Sequence, residues 1–195
     1  MTEKALTTLE YALLGIVAMR PMSGYDVHRL FATTPMAHFS SSPGAIYPAL
    51  RRLARRGLLE AALDTTTEAR PRRVYTLTGE GEQALHAWLR QPVTREEVIR
   101  GSGAPILRFA LAEGRVSKEE VLAYLMTYRR TLESYLEELQ AHAREMPAAA
   151  GIHPRLALER GIRGYQGDLE WVRSAAARIR RTGRGPRKRR DRVAG

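Results

Sequence analysis

Ser41-Ser42-Pro43-Gly44-Ala45-Ile46-Tyr47-Pro48-Ala49-Leu50-Arg51-Arg52-Leu53 is the stretch on which the fold turns. Ser42 offers a cap at a helix start, and Pro43 follows in the first turn, where its missing N–H costs nothing. With Ile46 as origin, Leu50 falls at about 40° and Leu53 at about 340°, which gives a narrow apolar face. Gly44 falls at about 160°, Tyr47 at about 100°, Arg51 at about 140° and Arg55 at about 180°. The outward face is therefore a small residue, an aromatic ring and two arginines. In a DNA major groove glycine permits close approach, tyrosine bonds a phosphate or packs on sugar, and arginine forks onto guanine. The first-turn N–H groups near Ser42, Gly44 and Ala45 suit a phosphate. Taken alone, a face of this kind reads more readily as solvated charge, so its neighbours decide.

Upstream, Leu6, Leu9, Leu13, Ile16 and Val17 have helical spacing. Arg20-Pro21 stops that helix. Ser23, with Asp26 three residues on, starts a second helix with Val27, Leu30 and Phe31 inside, and this ends near Thr33-Thr34-Pro35. Downstream, Gly57 closes the third helix, Leu58 to Leu63 reads as a strand, and Arg72 to Thr78 as its hairpin partner. Arg70, Arg72 and Arg73 lie at the hairpin tip, where a wing meets backbone or minor groove. Thr78 caps a further helix with Leu85, Trp88 and Leu89 inward. Three helices and a hairpin in this order make a winged helix-turn-helix.

The break at Pro92, Gly101 and Gly103 reads as a linker over 92–104. A short helix around Ile106 to Leu111 follows, and Ser117-Lys118-Glu119-Glu120 forms a capping box. The next long helix carries Val121, Leu125, Tyr128, Leu132, Tyr135, Leu139, His142 and Met146. After a turn at Pro147 to Pro154, the last helix carries Leu158, Ile162, Tyr165, Leu169, Val172, Ala176 and Ile179. Two such helices form an antiparallel hairpin. Its apolar seams suit a dimer interface or packing within one subunit. Leu125, Tyr128, Leu132, Leu139, Leu158, Ile162, Tyr165, Leu169 and Val172 are the candidate dimerisation residues.

The expected fold is thus mainly α with a small β-hairpin. A winged helix-turn-helix over 1–91 precedes a helical dimerisation and possible effector domain over 105–181, and a basic tail over 182–195. The net charge is +11 in 195 residues. Nine basic residues and one acidic between Arg178 and Arg192 hold +8 of it, leaving +3 elsewhere. The tail, with Arg187-Lys188-Arg189-Arg190, reads either as a nonspecific DNA contact or as an inert solubilising end. The chain has no cysteine, which excludes disulfides, thiolate metal sites and cysteine nucleophiles. Scattered His28, His38, His86, His142 and His153 show no metal-ligand spacing. No phosphate loop, dinucleotide turn or catalytic set is present, so neither an enzyme nor a cofactor is expected. No apolar run reaches membrane-spanning length, and a start bearing Glu3 and Glu10 is not read as a signal peptide. A cytoplasmic location is expected.

From Ser41 to Leu53, followed by Arg56-Gly57-Leu58-Leu59, the sequence resembles the recognition helix of PadR-family regulators. Ser23-Gly24-Tyr25-Asp26 and Arg73-Val74-Tyr75-Thr76-Leu77-Thr78-Gly79-Glu80-Gly81 share that resemblance, and Leu158 to Ile179 is similar to the larger C-terminal domain of one PadR subgroup. The resemblance implies a homodimer that binds an inverted-repeat DNA operator, often as a repressor, and in some relatives release by a small aromatic or drug-like ligand. It carries DNA contact to Tyr25, Ser42, Gly44, Ala45, Tyr47, Arg51, Arg70, Arg72 and Arg73, beside which Arg55 stands on the outward face. Trp88 and Trp171 are candidates for an effector pocket, or else core. The competing reading is a nonspecific architectural or RNA-binding protein driven by the tail.

Overall fold

The computed structural model describes residues 5–40, 42–64, 72–147 and 149–182. They fall into two compact units divided between Leu89 and Arg90.

In the first unit, helix α1 (Thr8–Val17) opens on a capping box. Thr7 accepts from the Glu10 N–H, and Glu10 reaches back to the Thr7 N–H. Strand β1 (Met22–Ser23) leads into α2 (Gly24–Thr33), whose N-cap Ser23 accepts from the Asp26 N–H as its spacing predicts. A single 3₁₀ turn, Pro35–His38, separates it from α3 (Pro43–Arg55). Ile46, Ala49, Leu50 and Leu53 bury the inner face of α3, as the wheel predicts. Ser42 occupies the N-cap position without a side-chain cap bond, unlike its expected role.

Strands β2 (Leu59–Asp64) and β3 (Arg72–Leu77) pair antiparallel, from Leu59 opposite Leu77 to Asp64 opposite Arg72. The expected hairpin supplies two strands of a three-stranded sheet in the order β1-β3-β2, with Met22 opposite Tyr75. Two residues are too few to show a strand period, so β1 was invisible in the sequence.

Helix α4 (Gly79–Leu89) is tied to the exit of α3. Gly57 takes φ 72°, a left-handed conformation that favours glycine. The Thr78 hydroxyl donates to the Gly57 carbonyl at 2.6 Å and accepts from the Gly81 N–H at 3.0 Å. A Cβ on Gly81 would lie 2.1 Å from the Leu58 carbonyl oxygen, so only glycine allows this approach.

The second unit begins with a correction to the linker. Within 92–104, Thr94 and Glu97 form a capping box that starts α5 (Arg95–Ile99), with Val93 and Val98 buried beside it. A five-residue helix with one buried side chain leaves no periodic signal. Helix α6 (Gly103–Leu111) starts earlier than its apolar residues suggest. Helix α7 (Lys118–Glu145) has the expected Ser117–Glu120 capping box and packs on α8 (Ile152–Arg181). Their core holds Leu125, Tyr128, Leu132 and Val172, each 0–1% exposed. Those four dimerisation candidates are therefore interior to one chain and have no surface left for a partner. Leu139, Leu158, Ile162, Tyr165 and Leu169 remain half-buried. Among the described residues, no helix is long and apolar enough to cross a membrane.

Candidate nucleic-acid interface

Helix α3 is held against the first unit by its buried face, so its polar face is fixed in direction. Ser42, Gly44, Arg51 and Arg55 are exposed, while Ala45 and Tyr47 are half-buried. On β3, Arg72 and Arg73 are also exposed. Between the C-terminal half of α3 and the β2–β3 hairpin lies an open groove of about 850 Å³. Arg51, Arg52 and Arg55 reach it from the helix and Arg73 from the strand, with Tyr75 and Leu59 at its floor and Glu60 at its edge. Two helix arginines predicted to meet DNA and one wing arginine are thus brought to one surface. Arg70 and the tail residues Arg187, Lys188, Arg189 and Arg190 lie outside the described residues.

Tyr47 is placed differently from its position on the wheel. Its ring lies against α2, where a Cβ on Gly24 would come within 2.9 Å of it, and it stacks on His28 with centroids 6.2 Å apart. Gly24 therefore sets how deeply the ring sits and where its hydroxyl emerges. The neighbouring Tyr25 is 57% exposed and free to contact a ligand. Of the first-turn amides, those of Ser42 and Ala45 already donate within the chain, to Ser40 Oγ at 3.2 Å and Ser42 O at 3.1 Å. This narrows the phosphate-facing expectation toward Gly44.

Two residues of the site escaped the sequence reading. Arg52 falls on the flank of α3, between the apolar and outward faces, and Glu10 lies 42 positions away. The Arg52 Nε donates to Glu10 Oε1 at 3.0 Å. Burial pushes the Glu10 carboxyl up, but bonds from Thr7 and Arg52 outweigh it and hold the group below the usual carboxylate range. The Thr7-x-x-Glu10 spacing fits a capping box that the sequence analysis did not single out, and nothing in it signals the partner on α3.

The candidate effector residues are each packed within their own unit. Trp88 stacks on Tyr11 at 4.5 Å with 6° between planes, and Trp171 meets Phe109 edge-on at 5.1 Å. In the helical unit, Arg108 is 2% exposed and forms an ion pair with Glu97 at 2.5 Å. It also donates to the carbonyls of Gln91 and Pro92. This cluster ties α5 and the segment before it to α6. Among the described residues, no three metal-ligating side chains gather.

A helix-turn-helix followed by a two-stranded wing, with arginines collected between the third helix and that wing, defines a protein of the winged-helix class. The family follows from the sequence. Residues 13–87 match the Transcriptional regulator PadR-like family and residues 109–180 match the Virulence activator alpha C-term family. The chain belongs to the PadR-like family of transcriptional regulators. It is similar to the negative transcriptional regulator PadR of Bacillus subtilis, at 24% identity over 89% of this chain and 98% of that one. Among solved structures it is similar to B. subtilis PadR in complex with operator DNA, at 23% identity over 90% and 99% of the two chains, with a TM-score of 0.42. B. subtilis PadR with p-coumaric acid covers 89% and 99%, at 24% identity and a TM-score of 0.38.

Proposed function

We propose that this regulator is a cytoplasmic repressor that binds an inverted-repeat operator as a homodimer and releases it when a small aromatic acid binds. The observation that carries the reading is the groove in which Arg51, Arg55 and Arg73 converge. Arg51 reads guanine in the major groove, and Arg73 and Arg72 hold backbone or minor groove beside it. Tyr25, Ser42, Gly44 and Tyr47 contact phosphate and sugar and set the register. A two-fold operator requires a two-fold protein, and Leu139, Leu158, Ile162, Tyr165 and Leu169 keep apolar surface for a second copy. The effector part comes from the family resemblance and from a relative crystallised with p-coumaric acid; Trp88 and Trp171 belong to the proposal on that ground alone.

The test is selection of fragmented genomic DNA by the purified chain at about 0.15 M salt, where surface charge is screened beyond about 8 Å. A few recovered fragments sharing an inverted repeat, with half-sites about one helical turn apart, support the reading. Uniform, salt-sensitive recovery of all fragments points to the tail and overturns it. Arg51→Ala is expected to weaken the selected operator by about 1–3 kcal/mol and to relax preference at one base pair. Addition of p-coumaric acid to the complex checks the effector separately.

A further inference from the structure

Glu10 is only 4% exposed, and its two oxygens face different partners. Oε2 accepts from the Thr7 N–H and hydroxyl at 2.9 and 3.0 Å, which closes the start of α1. Oε1 takes no part in that cap and accepts from Arg52 Nε on α3. Arg52 is held at one end only. Its side chain keeps 46% of its surface exposed and lines the same groove as Arg51, Arg55 and Arg73. A guanidinium carries five N–H donors in a rigid fork, and the bond to Glu10 uses the one at Nε. Anchoring Nε fixes the plane and direction of the fork before any ligand arrives. The entropy of ordering a long side chain is then lost in folding and not again on binding.

We propose that Arg52 is a phosphate-binding residue of the DNA interface, held in position by Glu10, which acts as a positioning residue without touching DNA. The proposal rests on the reading of this face as a duplex-binding surface. Phosphate contacts carry no base information. Arg52 therefore supplies affinity to every sequence, whereas Arg51 supplies discrimination.

The full chain and its R52A, R52K, E10Q and E10Q/R52A variants are titrated over a salt series with the selected operator and with a random duplex of equal length. Thermal melting first establishes that each variant is folded at the titration temperature. R52A is expected to weaken both duplexes by a similar factor, about tenfold, and to lower the salt slope by about one. R52K keeps the charge but loses the Nε anchor, so its slope stays near that of the unaltered chain while part of the affinity is lost. E10Q weakens both duplexes less than R52A, about threefold for one weakened charge-assisted bond. That effect disappears when Arg52 is already alanine. Unchanged affinity and slope in R52A overturn the proposal, as does an E10Q effect of equal size in both backgrounds. Failure of the unaltered chain to bind either duplex is a different result and overturns the DNA-binding reading beneath it.

Discussion

Helix α1 buries seven of its ten residues, whereas α8 buries one of its thirty, Val172. The first unit closes its core within the chain, with Leu13, Leu14, Phe31, Ile46, Leu50 and Leu53 all at 0% exposure. The helical unit closes along the α7–α8 seam and under α5, whose Val98 joins the same core. Ile152 and Leu156 on α8 and Met126 on α7 stay 63%, 52% and 42% exposed. A reader of DNA needs a rigid helix, and burial of Ile46, Ala49, Leu50 and Leu53 gives α3 one direction. A long helix with one covered side is marginal in isolation, which suits a unit completed by a second copy.

The largest expected effect lies in the less apolar unit. Its α5–α6 corner is secured by the Arg108–Glu97 pair. Arg108→Ala removes the cation, leaves Glu97 and two carbonyls short of a partner, and is expected to cost about 3–5 kcal/mol. Chemical denaturation followed by helicity measures it; a loss under about 1 kcal/mol, the scale of exposed pairs, would show that the corner does not depend on the pair. In the first unit Leu50→Ala is expected to cost about 3 kcal/mol by leaving a cavity in a closed core. Quenching of Trp88 fluorescence on unfolding reports that unit, because Trp88 is its sole tryptophan.

An alkaline titration separates the units without a mutation. Burial pushes the Tyr128 phenol from 10.0 up to about 12, and burial also raises those of Tyr124 and Tyr165. The folded form favours the neutral phenols, so their contribution is complete below pH 10 and is lost as pH rises toward 12. The tyrosinate absorbance of Tyr124, Tyr128 and Tyr165 is expected to lag in the native chain and to appear together with loss of helicity. Early, uncoupled ionisation of all tyrosines would show that the α7–α8 seam is open to water.

The smallest effect sharpens the comparison most. Leu156→Ala changes an exposed side chain, and in an isolated chain is expected to shift stability by under about 0.5 kcal/mol. If α8 meets a second copy there, the same change lowers the melting temperature in a concentration-dependent way. Sedimentation with the variant distinguishes the two.

The winged helix was legible because its signals are local. Ile46, Leu50 and Leu53 share a face by helical geometry, Gly57 and Pro21 interrupt, and Ser23 caps at fixed spacing. Exposed Arg51, Arg55 and Arg73 follow from the same patterns. Helix α5 and strand β1 were not legible, because five and two residues carry no measurable period. The heptad rhythm of α7 and α8 showed which residues are apolar. It could not show that Leu125, Tyr128, Leu132 and Val172 face each other within one chain while Leu156 faces outward, since period alone does not name the partner helix.

Sequence by itself therefore determined the longer elements, their order, the arginine-bearing face and the family. Only the tertiary structure decided which of those arginines share a groove, that Tyr47 rests on Gly24, and that a capping glutamate at position 10 holds Arg52. The physical reason is range. Caps and periods act over three or four residues, whereas an ion pair spanning 42 positions exists only after packing has brought α1 and α3 together.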